Sequence, residues 1–193
     1  MTPSLRLPYE LNGPVQTERL LIRRMAMRDV DDIHVYQSRE DVCRYLPFAP
    51  RSRDEVADKV AQFSEAIVLT GEGDYWQLAI ERLADPGRVI GDVYFSLRST
   101  ANAAGEIGWT LHPSHAGQGY MTEAAGAILE VAFAGIGLHR VFARLDPRNE
   151  PSAALCRRLG MREEGYFAQD TWFKGEWGDT SIFAILAHEW EAA

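Results

Sequence analysis

The residues whose spacing most directly suggests chemistry are two glycines, Gly117 and Gly119, which separate two different sequence patterns. Before them, residues 106–111 alternate apolar and polar side chains, which predicts a strand. After them, residues 120–134 carry apolar side chains at helical spacing. The start of a helix leaves backbone N–H groups without partners and carries the positive end of the helix dipole. Because glycines allow a ligand to approach the backbone closely, the loop is suited to binding a phosphate or pyrophosphate.

Two common phosphate-binding patterns do not fit this loop. The dinucleotide pattern G-x-G-x-x-G needs a third glycine where Thr122 stands. The P-loop pattern needs a lysine directly after its last glycine, where this chain has Tyr120. Paired glycines can also be only a tight turn, but the strand before and the helix after favour a ligand-binding loop.

A second cluster, residues 149–161, begins at Asn149 and has Ser152 and Cys156 one helical turn apart. Asn149 is a candidate N-cap, and Gly160 is a candidate for the residue that follows the helix C-terminus. A short helix is therefore predicted between them, running to Leu159.

The glycine loop resembles motif A of the GNAT acyl-CoA N-acyltransferases, Q/R-x-x-G-x-G/A, with Ser114 at the leading Gln/Arg position. The following Tyr120-Met121-Thr122-Glu123-Ala124 is similar to the RimJ/RimL-like branch of that family, as is Thr17-Glu18-Arg19-Leu20 near the N-terminus. The resemblance implies that acetyl-CoA is the cofactor and that backbone amides of the loop hold its pyrophosphate.

The second cluster resembles motif B of the same family, and the two motifs occur in the family order. Asn149, Ser152, Gly160 and Met161 fit the motif, while Cys156 stands where many members have tyrosine. The resemblance extends over nearly the whole chain. The cofactor contacts that it implies are Trp109, Thr110, Leu111, Gly117, Gln118, Gly119, Tyr120, Met121, Thr122, Asn149, Ser152 and Cys156.

Transfer of an acetyl group from a thioester to an amine needs a base for the amine, a donor for the tetrahedral oxyanion and a proton for the departing thiolate. Glu106, at the start of the strand beside the loop, is the candidate base, acting through a water; it could equally be a solvated carboxylate. The resemblance implies a backbone N–H near Leu111 as the oxyanion donor and Ser152 as the acid. The Ser152 hydroxyl could instead only bond to the backbone.

Composition limits the classes of partner. The chain has 193 residues, with 28 acidic and 20 basic residues and a formal net charge of −8, which argues against general affinity for nucleic acids or anionic membranes. Cys43 and Cys156 give no disulfide framework or metal spacing, and no signal peptide or membrane span is seen. We therefore expect a cytoplasmic protein without a metal site.

The apolar patterns predict the element order β-α-α-β-β-β-α-β-α-β-β, with residues 1–16 irregular and the chain 1–193 forming a single domain. Asp29 is predicted to cap the first helix, and a Ser52–Glu55 capping box opens the second, which Gly71 and Gly73 end. Asp85-Pro86-Gly87 is predicted to be a hairpin turn. The expected fold is an α/β (α+β) mixed sheet, the GNAT fold, mostly antiparallel with a parallel, splayed pair and flanked by helices.

The acceptor is predicted to be a primary amine attacking directly in a ternary complex. The RimJ/RimL-like resemblance favours a protein or peptide N-terminal α-amine, and an aminoglycoside, polyamine or amino acid is the alternative. A non-catalytic acyl-CoA-binding module is the rival from another class, because Ser114 and Cys156 depart from the motifs. Pairing of the closing strands in a homodimer is also a reasonable expectation.

Overall fold

In the computed structural model, the described residues are 4–190, and they form an eight-stranded sheet, a two-stranded ribbon and flanking helices. The strands are β1 (Tyr9–Glu10), β2 (Val15–Gln16), β3 (Leu20–Arg24), β4 (Val68–Leu69), β5 (Tyr75–Arg82), β6 (Asp85–Ser99), β7 (Ala104–Leu111), β8 (Arg140–Leu145), β9 (Arg162–Phe173) and β10 (Glu176–Leu186). The helices are α1 (Val30–Gln37), α2 (Glu40–Cys43), α3 (Arg53–Glu65), α4 (Tyr120–Glu130), α5 (Glu150–Arg158) and α6 (Ala187–Trp190). A π-helical turn, Val131–Ile136, continues α4. No helix within residues 4–190 is both long and apolar enough to cross a bilayer.

The large sheet has the strand order β2-β3-β5-β6-β7-β8-β10-β9, and only the neighbours β7 and β8 are parallel. The predicted fold class, a mostly antiparallel mixed sheet with one parallel pair, is therefore confirmed. The pair is parallel because α4 carries the chain back across the sheet between the two strands. Ala124, Ile128 and Leu129 of α4 are fully buried in the main core, so the helix that follows the glycine loop is firmly anchored.

A second, smaller core lies beneath α1 and α3 and contains Val30, Ile33, Val56 and Val60. The predicted capping box of α3 is present, since the Ser52 hydroxyl accepts a hydrogen bond from the Glu55 amide at 3.3 Å. The Glu55 carboxylate in turn accepts one from the Ser52 amide at 2.8 Å.

Asp29 stands at the N-cap position of α1, as predicted, but its side chain makes no cap hydrogen bond there, because the carboxylate belongs to a buried ion cluster. Asp29 accepts two hydrogen bonds of 2.7 Å from the guanidinium of Arg23, which also pairs with Glu81. None of the three residues is more than 8% exposed. A charge buried this deeply is stable only when it is paired, so the cluster outcompetes the cap.

The predicted ends of two other elements are also wrong. Helix α3 ends at Glu65, before Gly71 and Gly73, because Val68–Leu69 pairs with Tyr9–Glu10 and the Leu69 side chain is fully buried. The same pairing, together with β2, gives strands to the segment predicted to be irregular; its residues 1–3 lie outside the described residues.

The turn between β5 and β6 lies at Leu83 and Ala84, and not at Asp85-Pro86-Gly87. Those residues belong to β6, where Arg82 pairs with Asp85 but Glu81 pairs with Val89. The intervening residues form a bulge, which suits a proline without an N–H group and a glycine with φ of +85°. The Asp-Pro-Gly sequence, which is typical of turns, therefore belongs here to an irregular part of a strand.

Candidate active site

The central feature of the site is a gap between β7 and β8. The two strands pair only at three positions, from Ala104 opposite Arg140 to Glu106 opposite Phe142, and then diverge. The His112 amide donates to the Ile90 carbonyl of β6 at 2.8 Å. Because bonding direction alternates along a strand, the N–H groups of Leu111 and Trp109 point the other way, into the gap. The gap therefore presents backbone donors, including the one predicted near Leu111.

The N-terminal end of α5 lies beside this gap. Asn149 caps the helix, its side-chain oxygen accepting a hydrogen bond from the Ser152 amide at 3.2 Å. The Trp109 indole donates to the Ser152 hydroxyl oxygen at 3.3 Å. An indole N–H can only donate, so the serine oxygen is the acceptor and its own proton remains available.

A cavity of about 910 Å³ opens from the gap toward the glycine loop. The predicted cofactor residues that line it are Trp109, Thr110, Leu111, Gly117, Gly119, Tyr120, Met121, Thr122, Asn149 and Ser152. The structure thus brings the end of β7, the glycine loop, the first turn of α4 and the start of α5 around one space.

Two predicted cofactor residues, Gln118 and Cys156, do not line this cavity. The Gln118 side chain donates to the Ser114 carbonyl at 3.3 Å, and the Gln118 backbone carbonyl accepts from the Arg19 guanidinium at 3.0 Å. Cys156 is completely buried, and burial raises the pKa of its thiol to about 12. The thiol is therefore part of the core, and the expectation that Cys156 contacts the cofactor is corrected.

The glycine loop has the backbone geometry expected for an anion site. Gly117 and Gly119 have φ of +74° and +79°, the left-handed region that favours glycine, and Gly119 is the N-cap of α4. Met121 packs in the core, so only the N-terminal turn of the helix faces the cavity. The first N–H groups of α4 and its dipole point at this space.

Two residues of the RimJ/RimL-like pattern meet at this turn. The Glu123 carboxylate accepts hydrogen bonds from the Thr17 hydroxyl at 2.5 Å and from the Arg19 amide at 2.8 Å, and it pairs with the Arg19 guanidinium. Burial raises the pKa of Glu123, but these hydrogen bonds outweigh burial and hold it below the ordinary value. Glu123 thus fastens the segment before β3 to the start of α4.

Sequence reasoning missed two arginines of this cavity. Arg158 lines it and donates to the Thr122 hydroxyl at 3.3 Å, and Arg19 lies over the Tyr120 ring at 4.8 Å. Helical spacing could have found Arg158, since Pro151, Leu155 and Arg158 share one face of α5 and all line the cavity.

A second cavity, of about 690 Å³, lies on the other side of the gap and contains Glu106. Burial raises the pKa of Glu106 above the ordinary glutamate value, although Arg98, 3.1 Å away, and Arg144 oppose the rise. A carboxylate with a raised pKa inside a cavity has the properties of a general base.

The two cavities meet at shared residues. Trp109, Thr110, Asn149 and Ser152 line both of them, and Tyr45 closes the junction from the loop after α2. The chain therefore has two adjoining spaces that communicate at the gap between β7 and β8.

The second cavity also borders a buried polar cluster that sequence reasoning missed. Asp92 is only 1% exposed, and it accepts hydrogen bonds from the Tyr36 hydroxyl at 2.5 Å and from the side-chain amide of Gln77. Burial, the largest cause, raises the pKa of Asp92 to about 6 despite these donors. No local pattern predicts the cluster, because its members come from three separate elements.

Other polar side chains lie outside the two cavities. Tyr166 is 56% exposed and donates to Asp179. His112 accepts from the Ser114 amide at 3.1 Å and so caps the turn before the glycine loop. Among residues 4–190, no group of three or more His, Cys, Asp or Glu side chains is arranged to hold a metal ion.

Comparison with known sequences identifies the family. The sequence model of the acetyltransferase (GNAT) domain matches residues 19–162. The chain is 33% identical over 176 residues to the uncharacterized N-acetyltransferase YnaD of Bacillus subtilis, covering 91% of this chain and 98% of that protein. It is 30% identical over 108 residues to the [ribosomal protein uS5]-alanine N-acetyltransferase of Escherichia coli, covering 55% of each.

Solved structures agree with the sequence comparison. A GNAT-family acetyltransferase from Bacillus anthracis has a TM-score of 0.81 and 29% identity, with 91% of this chain and 99% of that chain covered. The spermidine N-acetyltransferase of Vibrio cholerae, solved with CoA and spermine, has the same fold, with a TM-score of 0.76 and 19% identity; 91% of this chain and 99% of that chain are covered. The chain therefore belongs to the GNAT family of N-acetyltransferases.

Proposed function

We propose that the protein transfers the acetyl group of acetyl-CoA to a protein or peptide N-terminal α-amine by direct attack within a ternary complex. The observation that carries this proposal is the junction of two cavities at Trp109, Thr110 and Ser152. One space adjoins the helix N-terminus that suits a pyrophosphate, and the other contains a carboxylate that suits a base. Two reactants bound side by side need no covalent intermediate on the protein.

The cofactor assignment is supported by the residues around the larger cavity. Backbone N–H groups at the start of α4, with Arg19 and Arg158 beside them, provide the positive potential that a phosphorylated cofactor requires. The V. cholerae neighbour was solved with CoA, which agrees with this assignment.

The chemistry assigns one role to each group near the gap. The amine nitrogen attacks the thioester carbonyl carbon while its proton passes to Glu106, directly or through a water. The oxyanion accepts hydrogen bonds from the backbone at Trp109 and Leu111. As the C–S bond breaks, the Ser152 hydroxyl, held by the Trp109 indole, would donate its proton to the departing sulfur and regain one from solvent, while Glu106 would return its proton to solvent. The products are the N-acetyl amine and coenzyme A.

The choice of acceptor is supported by sequence similarity to a relative and by the size of the second cavity. The E. coli relative acetylates an alanine of ribosomal protein uS5, according to its name. A cavity of about 690 Å³ that opens to the surface accommodates the end of a peptide. Aminoglycosides, polyamines and free amino acids are the competing acceptors to be tested.

The first experiment is calorimetric titration with acetyl-CoA, using NAD and ATP as controls, followed by transfer assays with N-terminal peptides, an aminoglycoside, spermidine and alanine. We expect selective binding of acetyl-CoA and transfer to the peptides. Binding without transfer to any amine would instead indicate a non-catalytic acyl-CoA-binding module. Absence of binding would refute the cofactor assignment.

Ser152→Ala tests the assignment of the acid. We expect kcat to fall by about 100-fold, the lower range for a positioned proton donor, with the Kd for acetyl-CoA nearly unchanged. Ser64→Ala is the matched control, because the Ser64 hydroxyl bonds only within its own helix, to Ala61. An unchanged kcat for Ser152→Ala would remove Ser152 from the mechanism.

A further inference from the structure

One arginine of the smaller cavity is positioned without a carboxylate partner. The cavity is lined by three arginines, of which Arg98 pairs with Glu106 and Arg144 is exposed to solvent. Arg51 is partly buried, and its only side-chain hydrogen bond among residues 4–190 runs from Nη1 to the Gln37 side-chain oxygen, at 2.8 Å. No Asp or Glu of that range forms an ion pair with it. The N–H groups on Nε and Nη2 therefore have no partner within the described residues.

Neighbouring groups nevertheless fix the position of Arg51. Its backbone N–H donates to the Gln37 carbonyl at 2.9 Å, and its guanidinium lies over the Phe48 ring at 3.5 Å. Gln37 is itself buried and packs against the Asp92 cluster. A guanidinium held by a ring and an amide loses little side-chain entropy when it binds a ligand.

The positive charge of Arg51 is only partly compensated by its neighbours. Burial lowers the pKa of its guanidinium, and the carboxylate of Asp92 opposes this only from a distance. Removing an arginine partly from water is costly unless an anion compensates it. Asp92 and Glu55 compensate the charge in part, through space, but no carboxylate among residues 4–190 forms an ion pair with Arg51, which lines the cavity proposed to receive the acceptor.

We propose that Arg51 binds an anionic group of the acceptor, so that the acceptor is a primary amine that also carries a carboxylate. This inference rests on the acetyl transfer to a primary amine in the proposed function and leaves open whether that amine belongs to a peptide or to a free amino acid. The carboxylate would accept two hydrogen bonds from the free N–H groups of the fork, the geometry that arginine recognises best. Its source is either the α-carboxylate of an amino acid or an acidic side chain close to a peptide N-terminus.

The position of Arg51 would allow one acceptor to contact both Arg51 and the junction where the two cavities meet. Arg51 shares its cavity with Thr110 and Ser152, which also line the cofactor cavity. An acceptor whose amine lies at this junction therefore extends into the space bordered by Arg51. The same guanidinium disfavours polyamines, because like charges repel in a partly desolvated site. The overall charge of −8 would suggest a cationic ligand, but the local charge at Arg51 has the opposite sign.

The test uses two matched pairs of acceptors with the purified full-length chain. Ala-Glu-NH₂ and Ala-Gln-NH₂ have the same reacting amine and differ only in the side-chain charge. Alanine and alaninamide differ in the α-carboxylate. We expect kcat/KM for the anionic member of at least one pair to exceed that of its neutral partner by about tenfold, the size expected for a charged hydrogen-bonded contact. Which pair discriminates identifies the source of the carboxylate.

Arg51→Gln should remove this preference while leaving the rate with the neutral members, which also shows that the variant is folded. Arg53→Gln is the matched control, since Arg53 is exposed, pairs with Asp31 and does not line the cavity. Equal rates for both members of each pair, or a preference that persists in Arg51→Gln, would overturn this inference and leave the proposed function standing. Transfer to none of the four acceptors while acetyl-CoA binds would overturn both.

Discussion

The two cavities that meet at the gap differ in the groups that they present, backbone N–H groups in one and charged side chains in the other. The proposed cofactor side presents mainly backbone donors, namely the N–H groups at Trp109 and Leu111 and those at the start of α4. The proposed acceptor side presents charged side chains, with Glu106, Asp92 and Arg51 contributed by separate segments. Backbone donors are fixed by the fold, whereas side-chain charges are tuned by burial and by neighbours. The first side should therefore respond to changes in conformation, and the second to changes in charge and pH.

The largest effect is expected on the acceptor side, from Asp92. Its folded-state pKa of about 6 exceeds the ordinary value of 3.8, so the folded protein binds this proton more tightly than the unfolded chain does. The resulting stabilisation is complete below about pH 4 and is lost as the pH rises through about 6. The loss is about 3 kcal/mol in the free energy of unfolding.

Denaturant unfolding at pH 5 and pH 8 measures this contribution. Asp92→Asn should abolish the part of the pH dependence that Asp92 causes, so that the variant gains stability relative to the wild type at pH 8. The affinity of the Asp92→Asn variant for acetyl-CoA should equal that of the wild type. Parallel pH dependence in the two proteins would show that Asp92 ionises normally.

Glu106→Gln should lower kcat by about 100-fold or more, because a positioned base contributes at least that much, without changing the Kd for acetyl-CoA. In the wild type, kcat/KM should fall as the pH drops through a pKa above the usual glutamate range, since the base must be ionised. Arg98→Gln removes a cation that opposes this rise, so the acid limb should move to higher pH. Glu72→Gln, at an exposed loop, is the control. An unchanged pH profile in Glu106→Gln would assign the base elsewhere.

Gly119→Val tests the proposed cofactor side by straining the backbone without changing a charge, although the added Cβ would also lie 3.4 Å from Nη2 of Arg19. A β-branched residue at φ of +79° is strained by about 1–2 kcal/mol, so the Kd for acetyl-CoA should rise by about tenfold. Gly119→Asn should lose less, because asparagine tolerates this conformation. Arg158→Gln, which removes an exposed charge from the same cavity, should raise the Kd only a few-fold. A larger loss in Arg158→Gln than in Gly119→Val would contradict a backbone-based cofactor site.

The same division explains what sequence could predict. The glycine loop, the Asn149 cap and the Ser52–Glu55 capping box depend on residues a few positions apart, and all of these were predicted at the right places. Because every helix start has backbone N–H groups without intrahelical partners, predicting the start of α4 also predicted these donors. The mixed sheet followed because the length of the crossover helix requires a parallel pair.

The features that were missed depend on distant residues. Asp92 meets Tyr36 across 56 positions. Asp29 pairs with Arg23, six positions away, in an ion cluster that also contains the distant Glu81. Arg51 is held by Gln37 and Phe48 from the segment before it, yet nothing in that segment shows that the guanidinium would face the acceptor. Tyr166 lies on β9, an edge strand of the sheet, and its aromatic character alone does not show that its side chain is exposed.

The divergence of β7 from β8 has an evolutionary consequence. A point mutation at Trp109 or Leu111 changes the side chain but keeps the amide hydrogen, unless the new residue is proline. Substitutions can therefore alter the side chains that line the gap without deleting the backbone donors that face it. If the proposed roles hold, related chains could keep the acyl donor while the side chains of the other cavity change the amine that is accepted.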